Sequence, residues 1–90
     1  MITIAGIRFD YHDYDRRGDV LYLHVGQPKK PSVKAFETPE GHTVEYGEHG
    51  AVVGVELIGV RSAVEDGGEL QLTWPPAQVA ASALREVLAA

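Results

Sequence analysis

The chain has 90 residues, no cysteine, and thirteen acidic against eight basic side chains for a net charge of −5. A chain this short supports one thin core, burying only about 60% of the surface its unfolded form exposes, and without thiols it can have neither a disulfide framework nor a thiolate metal site. The basic residues are scattered apart from Arg16 and Arg17 and the group Lys29, Lys30 and Lys34, so no concentrated positive face is offered to nucleic acid.

Residues 1–6 have neither the basic start nor the apolar run of a signal peptide, and no segment approaches the roughly 20 apolar residues of a membrane span. The expectation is a cytoplasmic protein with no membrane partner. Ile7 to Tyr14 alternates, with Ile7, Phe9 and Tyr11 on one side and Arg8, Asp10 and His12 on the other, the period of a half-buried strand. Asp15-Arg16-Arg17-Gly18 supplies a turn in which Gly18 is free to take a positive φ, and Val20 to Val25 reads as a second strand. Matching like faces sets Tyr14 opposite Val20, Tyr11 opposite Leu23, Asp10 opposite His24 and His12 opposite Tyr22.

Gln27 to Pro31, with two prolines and two lysines, is a loop. Val33 to Thr38 predicts a short edge strand on which Lys34 and Glu37 discourage stray pairing. After the turn Pro39-Glu40-Gly41, His42–Tyr46 and Ala51–Ile58 predict a second hairpin, with Gly50 in the left-handed position of its loop. Ser62–Glu65 and Glu69–Trp74 flank Asp66-Gly67-Gly68 and predict a third hairpin, Val64 opposite Leu70. Pro75 and Pro76 stop that strand and pre-set φ for a helix, and Ala77–Leu88 places Val79, Ala80, Ala83, Leu84, Val87 and Leu88 on one stripe. These elements predict a single α+β domain over residues 1–90: an antiparallel sheet of five or six strands in meander order, with one C-terminal helix (76–89) packed on its apolar face.

Tyr14-Asp15, then Asp19-Val20-Leu21-Tyr22-Leu23, then Gly50 to Ile58 resemble the paired motifs "YDxxxDvLYi" and "dGxivGiEil" of the small bacterial proteins grouped as domain of unknown function family 2283. The resemblance covers residues 10–62 and leaves the third hairpin and the helix outside it. It implies a fold and no established activity. Members are sometimes found beside small toxin-like proteins, which implies an antitoxin-like role toward a basic partner; a net charge of −5 is compatible with it.

The candidate chemistry is sparse. In the register above, Asp10, His12 and His24 share a face, and two imidazoles with a carboxylate suit zinc, iron or nickel. The same spacing arises on an ordinary solvated strand face, and His42 and His49 belong to another hairpin. Ser32, Ser62 and Ser82 have no adjacent histidine, and the chain has no phosphate-binding glycine loop and no H-E-x-x-H. The reading therefore leans away from an enzyme and expects no cofactor; a metal-binding protein or metal-dependent enzyme using Asp10, His12 and His24 is the alternative. Glu56 lies in the most apolar strand and needs a partner, whether Arg61, a backbone N–H or another subunit. One short helix cannot cover both sides of the sheet, so a homodimer is expected, with Tyr22, His24 and Glu56 at or near the contact.

Overall fold

A computed structural model describes residues 2–88. The chain opens on a small hairpin, β1 (Ile2–Ile4) against β2 (Ile7–Phe9), closed by Ala5 and Gly6, both at positive φ. A two-residue turn of that hand follows the right-handed twist of its strands. Five strands then form one antiparallel sheet: β3 (Tyr11–Asp15), β4 (Val20–His24), β5 (Lys34–Glu37), β6 (Thr43–Tyr46) and β7 (Val52–Ile58). The remainder is α1 (Val60–Glu65), the hairpin β8 (Glu69–Leu72) and β9 (Ala77–Ala80), a 3-10 turn over Ala81–Leu84, and α2 (Arg85–Leu88).

The architecture is α+β with an antiparallel sheet, but the strand order β3-β4-β7-β6-β5 is not a pure meander. After β4 the chain crosses to the far edge, lays down β5, and returns through two hairpins so that β7 lies at the centre. The most apolar strand belongs there, because a central strand has both edges paired and can bury its side chains. Leu21, Leu23, Val44, Val55 and Leu57 project to one face and are sealed by Val60 and Val64 of α1, by Leu70, Leu72 and Val79 of the last hairpin, and by Leu84. Phe9, on the first hairpin, joins the same cluster.

Several local expectations change. Residues 60–65 are helical rather than extended, and Val60 and Val64, four apart, are its buried stripe. Asp66-Gly67-Gly68 ends that helix instead of turning a hairpin: the Gly67 N–H reaches the Val64 carbonyl and the Gly68 N–H the Ala63 carbonyl, with Gly67 at φ 66°. This is the paired bonding of a Schellman cap, and it uses the same glycine freedom that a hairpin turn would.

The third hairpin exists with different strands. The chain reverses at Thr73 to Pro76, and β9 pairs Val79 with Leu70 and Ala77 with Leu72. The expected helix over 76–89 is thus reduced to the 3-10 turn and α2, with residue 89 outside the described residues. Helix propensity separates these residues by only tenths of a kcal/mol each, and pairing with β8 buries Val79 where a helix would leave Leu70 and Leu72 without a strand partner.

The segment from Ile7 to Tyr14 is two strands with a bend at Asp10, which shifts the alternation by one residue. Phe9 is buried in the core, yet beyond the bend His12 and Tyr14 lie on the core side, opposite Leu23 and Leu21. Tyr11 therefore pairs with His24, Asp13 with Tyr22 and Asp15 with Val20, one residue away from the expected register. In the following turn Asp19, at φ 54°, takes the left-handed conformation expected of Gly18.

Candidate interaction face

Alternation along the strands leaves the second face of the sheet to Tyr11 and Asp13, Tyr22 and His24, Gly54, Glu56 and Ile58, Thr43 and Glu45, and Ala35 and Glu37. The helical segments and the terminal hairpins all pack on the other face. Tyr22 stands directly opposite Glu56, and Tyr22 and Ile58 are 41% and 42% exposed. Tyr22, His24 and Glu56 thus share one open face. Val52, two residues before Gly54, packs against the core, because the ladder is irregular at Glu45 and Tyr46 and phases Val52 with Tyr46.

Gly54 has a specific reason to lack a side chain. A Cβ there would lie 2.5 Å from Glu45 Oε2 and 3.0 Å from His24 Nδ1, so these two side chains converge over the glycine from the strands on either side. Glu45 was not distinguishable from sequence beyond its place in the alternation Thr43, Val44, Glu45. Its nearness matters to Glu56, whose carboxyl is raised above the ordinary range by burial first and by the like charge of Glu45 second. Arg61, a suggested partner of Glu56, instead holds its guanidinium 5.5 Å from the centre of the Tyr14 ring, on the opposite side of the sheet.

The Asp10, His12 and His24 set is not brought together. His12 lies on the core side of β3 and is exposed at its edge, whereas His24 is on the other face. The Asp10 carboxylate accepts the Gly26 N–H at 2.6 Å, and its own N–H donates to the His24 carbonyl at 2.9 Å. His24 Nε2 lies 2.6 Å from the Lys30 carbonyl. Lys29 Nζ sits 5.2 Å from the centre of the Tyr11 ring. These contacts fasten the crossover loop between β4 and β5, so Asp10 and His24 organise backbone there. Among the described residues, no group of three or more His, Asp or Glu is placed to hold a metal ion.

Two polar junctions escaped the sequence reading. The Asp19 carboxylate accepts the Tyr14 hydroxyl at 2.7 Å and the Arg61 N–H at 2.8 Å, tying the first turn of the sheet to the start of α1. Burial pushes Asp19 upward, but these donors, the Ser62 N–H and the Arg61 charge outweigh it and hold the carboxyl below the ordinary range. His42 is buried at 4% exposure, and its Nδ1 accepts the Ile58 N–H at 3.1 Å where β7 runs past the end of β6. An imidazole that accepts at Nδ1 carries its proton at Nε2, and burial lowers its pKa, opposed by the nearby Glu40. Asp15 does what its turn position suggested, accepting the Arg17 N–H at 3.1 Å.

The antiparallel sheet thus has one face sealed and the other open, and the carboxylates of Asp10, Asp15 and Asp19 accept backbone N–H groups. The chain belongs to the DUF2283 family, proteins of unknown function, whose family model matches residues 12–61. No curated protein and no solved structure matches it. The matched stretch ends where Asp19 and Arg61 meet, so the family's two motifs form one structural unit: the turn of the first caps the helix that follows the second.

Proposed function

We propose that the chain is a small cytoplasmic interaction module without catalytic activity, which pairs with a second copy of itself through the open face of its sheet. The observation that carries this reading is the direct opposition of Tyr22 and Glu56 on that face. The pair is self-complementary: a two-fold axis near it sets the hydroxyl of one copy toward the carboxylate of the other and buries Ile58 beside them. A carboxylate already half-buried and repelled by Glu45 gains most from such a donor. The acidic balance suits a basic protein as the further partner, in an antitoxin-like role. No long apolar helix capable of crossing a membrane occurs among the described residues.

Light scattering at micromolar concentration tests the pairing. The expected mass is twice 9.8 kDa, falling to 9.8 kDa in Tyr22→Glu and in Ile58→Glu while the far-ultraviolet circular dichroism is kept. A wild-type monomer, or a dimer indifferent to both substitutions, refutes it.

A further inference from the structure

The far edge of the sheet carries a second feature. Among the described residues β5 pairs only with β6, and all four residues of β5 are exposed. The Thr38 N–H bonds the His42 carbonyl. By the two-residue period of an antiparallel ladder, Phe36 therefore also turns its main chain inward to Val44, and Ala35 and Glu37 turn their N–H and C=O groups outward. Beside this edge, on the core side, Phe36 is 50% exposed and meets the rings of Tyr46 and Trp74 edge-on at 5.9 and 6.2 Å. With Val33, 55% exposed, they line a cavity of about 510 Å³ whose rim carries one cation and one anion, Lys34 and Glu48. An aromatic cleft of this size beside a free strand edge is the arrangement in which an added strand hydrogen-bonds along its main chain and seats an alternate side chain in a pocket.

Charge selects the strand. On the other side of the sheet, the outward positions of β5, β6 and β7 hold Glu37, Glu45 and Glu56 and no cation. A strand added at β5 places the residue opposite Phe36 over the cleft and those on either side of it on the carboxylate face, the nearest beside Glu37. We infer that β5 and the cleft of Phe36, Tyr46 and Trp74 form a docking site for an extended peptide segment that alternates basic and apolar residues, the apolar side chain entering the cleft and the basic ones lying on the carboxylate face beside Glu37. The site uses neither Tyr22 nor Ile58, so its test is separate from that of the homodimer.

The probe is a fluorescein-labelled heptapeptide with lysine at odd positions and valine, phenylalanine and valine at even ones, followed by fluorescence anisotropy. Saturable binding is expected. Replacing its lysines with glutamate, or the protein's Glu37 with Lys, weakens binding by at least about tenfold. Ala35→Pro removes an N–H that points away from β6, a change an edge strand tolerates, and has a similar effect while circular dichroism is unchanged. Should that variant fail to fold, N-methylation of the peptide's edge-facing amides asks the same question from the other side. The inference is overturned by absence of saturable binding, by equal affinity for the glutamate peptide, or by indifference to Ala35→Pro and to N-methylation alike. It is also overturned if Ala35→Pro splits a homodimer, since β5 would then be the contact between copies.

Discussion

The Asp19 carboxylate accepts the backbone N–H of Arg61 at 2.8 Å across 42 residues of chain. Helix α1 begins after Gly59, which has no side chain to satisfy the first orphan N–H groups, and Asp19 supplies the cap from a distant turn. A second bond in the same direction, from the Gly59 N–H to the Asp19 carbonyl at 2.9 Å, closes the junction. One residue thereby fixes the geometry of the first turn, the end of β7 and the start of the covering layer.

Asp19→Ala should therefore destabilise by about 2–3 kcal/mol, combining a lost cap, an abandoned Tyr14 hydroxyl and a non-glycine residue left at positive φ. Asp19→Asn, which keeps an acceptor and tolerates that φ, should cost roughly half as much. Tyr14→Phe and Asp19→Ala share an interaction, so urea denaturation of the double variant should show less than the sum of the single losses. Because the folded carboxyl lies below the ordinary value of about 3.9, its contribution is complete above that pH and is lost as pH falls through the folded value. The gap between wild type and Asp19→Asn should narrow accordingly below about pH 4.

His42 sets a second pH dependence. Its folded pKa lies below the ordinary histidine value of about 6.5, so the unfolded chain takes up the proton first. Stability is full above that value and declines as pH falls through it toward the folded pKa. His42→Asn should lose that part of the slope between pH 7.5 and 5.5, and proton NMR of the His42 ring should titrate below the ordinary range. An unchanged slope in the variant would assign the effect elsewhere.

Leu57 is fully buried opposite Leu21, and Leu57→Asp should abolish folding or cost more than about 4 kcal/mol, since a charge there has no partner. His24→Ala should cost only about 1 kcal/mol, the loss of one bond to the Lys30 carbonyl. Its local signature should be faster amide exchange over residues 26–33, including Lys30, whose N–H bonds the Val25 carbonyl.

Glu45→Gln should bring the Glu56 carboxyl down toward the ordinary value of about 4.3 without reaching it, because burial, the larger cause, remains. A raised folded pKa means that Glu56 costs stability as pH rises through the ordinary value to the folded one. Carbon-13 NMR titration of the Glu56 carboxyl reads the shift, and a value unmoved by Glu45→Gln would show that the two charges do not interact.

The alternation in Val20–His24, Thr43–Tyr46 and Val52–Ile58, and the left-handed Gly50 between the last two, were legible in the sequence because strand period and turn chemistry are local properties. So was the sharing of one side of the sheet by Tyr22, His24 and Glu56. The β3–β4 register was not legible, because it depends on the bend at Asp10, and that bend is held by Gly26, sixteen residues away. Asp66-Gly67-Gly68 serves a helix end or a hairpin turn equally well, since both ask only for a glycine at positive φ; Val60 and Val64, four apart and facing the core, decide for the helix. Ala77–Leu88 carries a helical stripe, yet its first four residues are strand because Leu70 and Leu72 offer an edge within reach of a four-residue reversal. The caps by Asp19 and His42 and the cleft of Phe36, Tyr46 and Trp74 each join residues distant in the chain. Their bonds and ring contacts arise only after packing has brought those segments together, so they leave no periodic trace in the order of the amino acids.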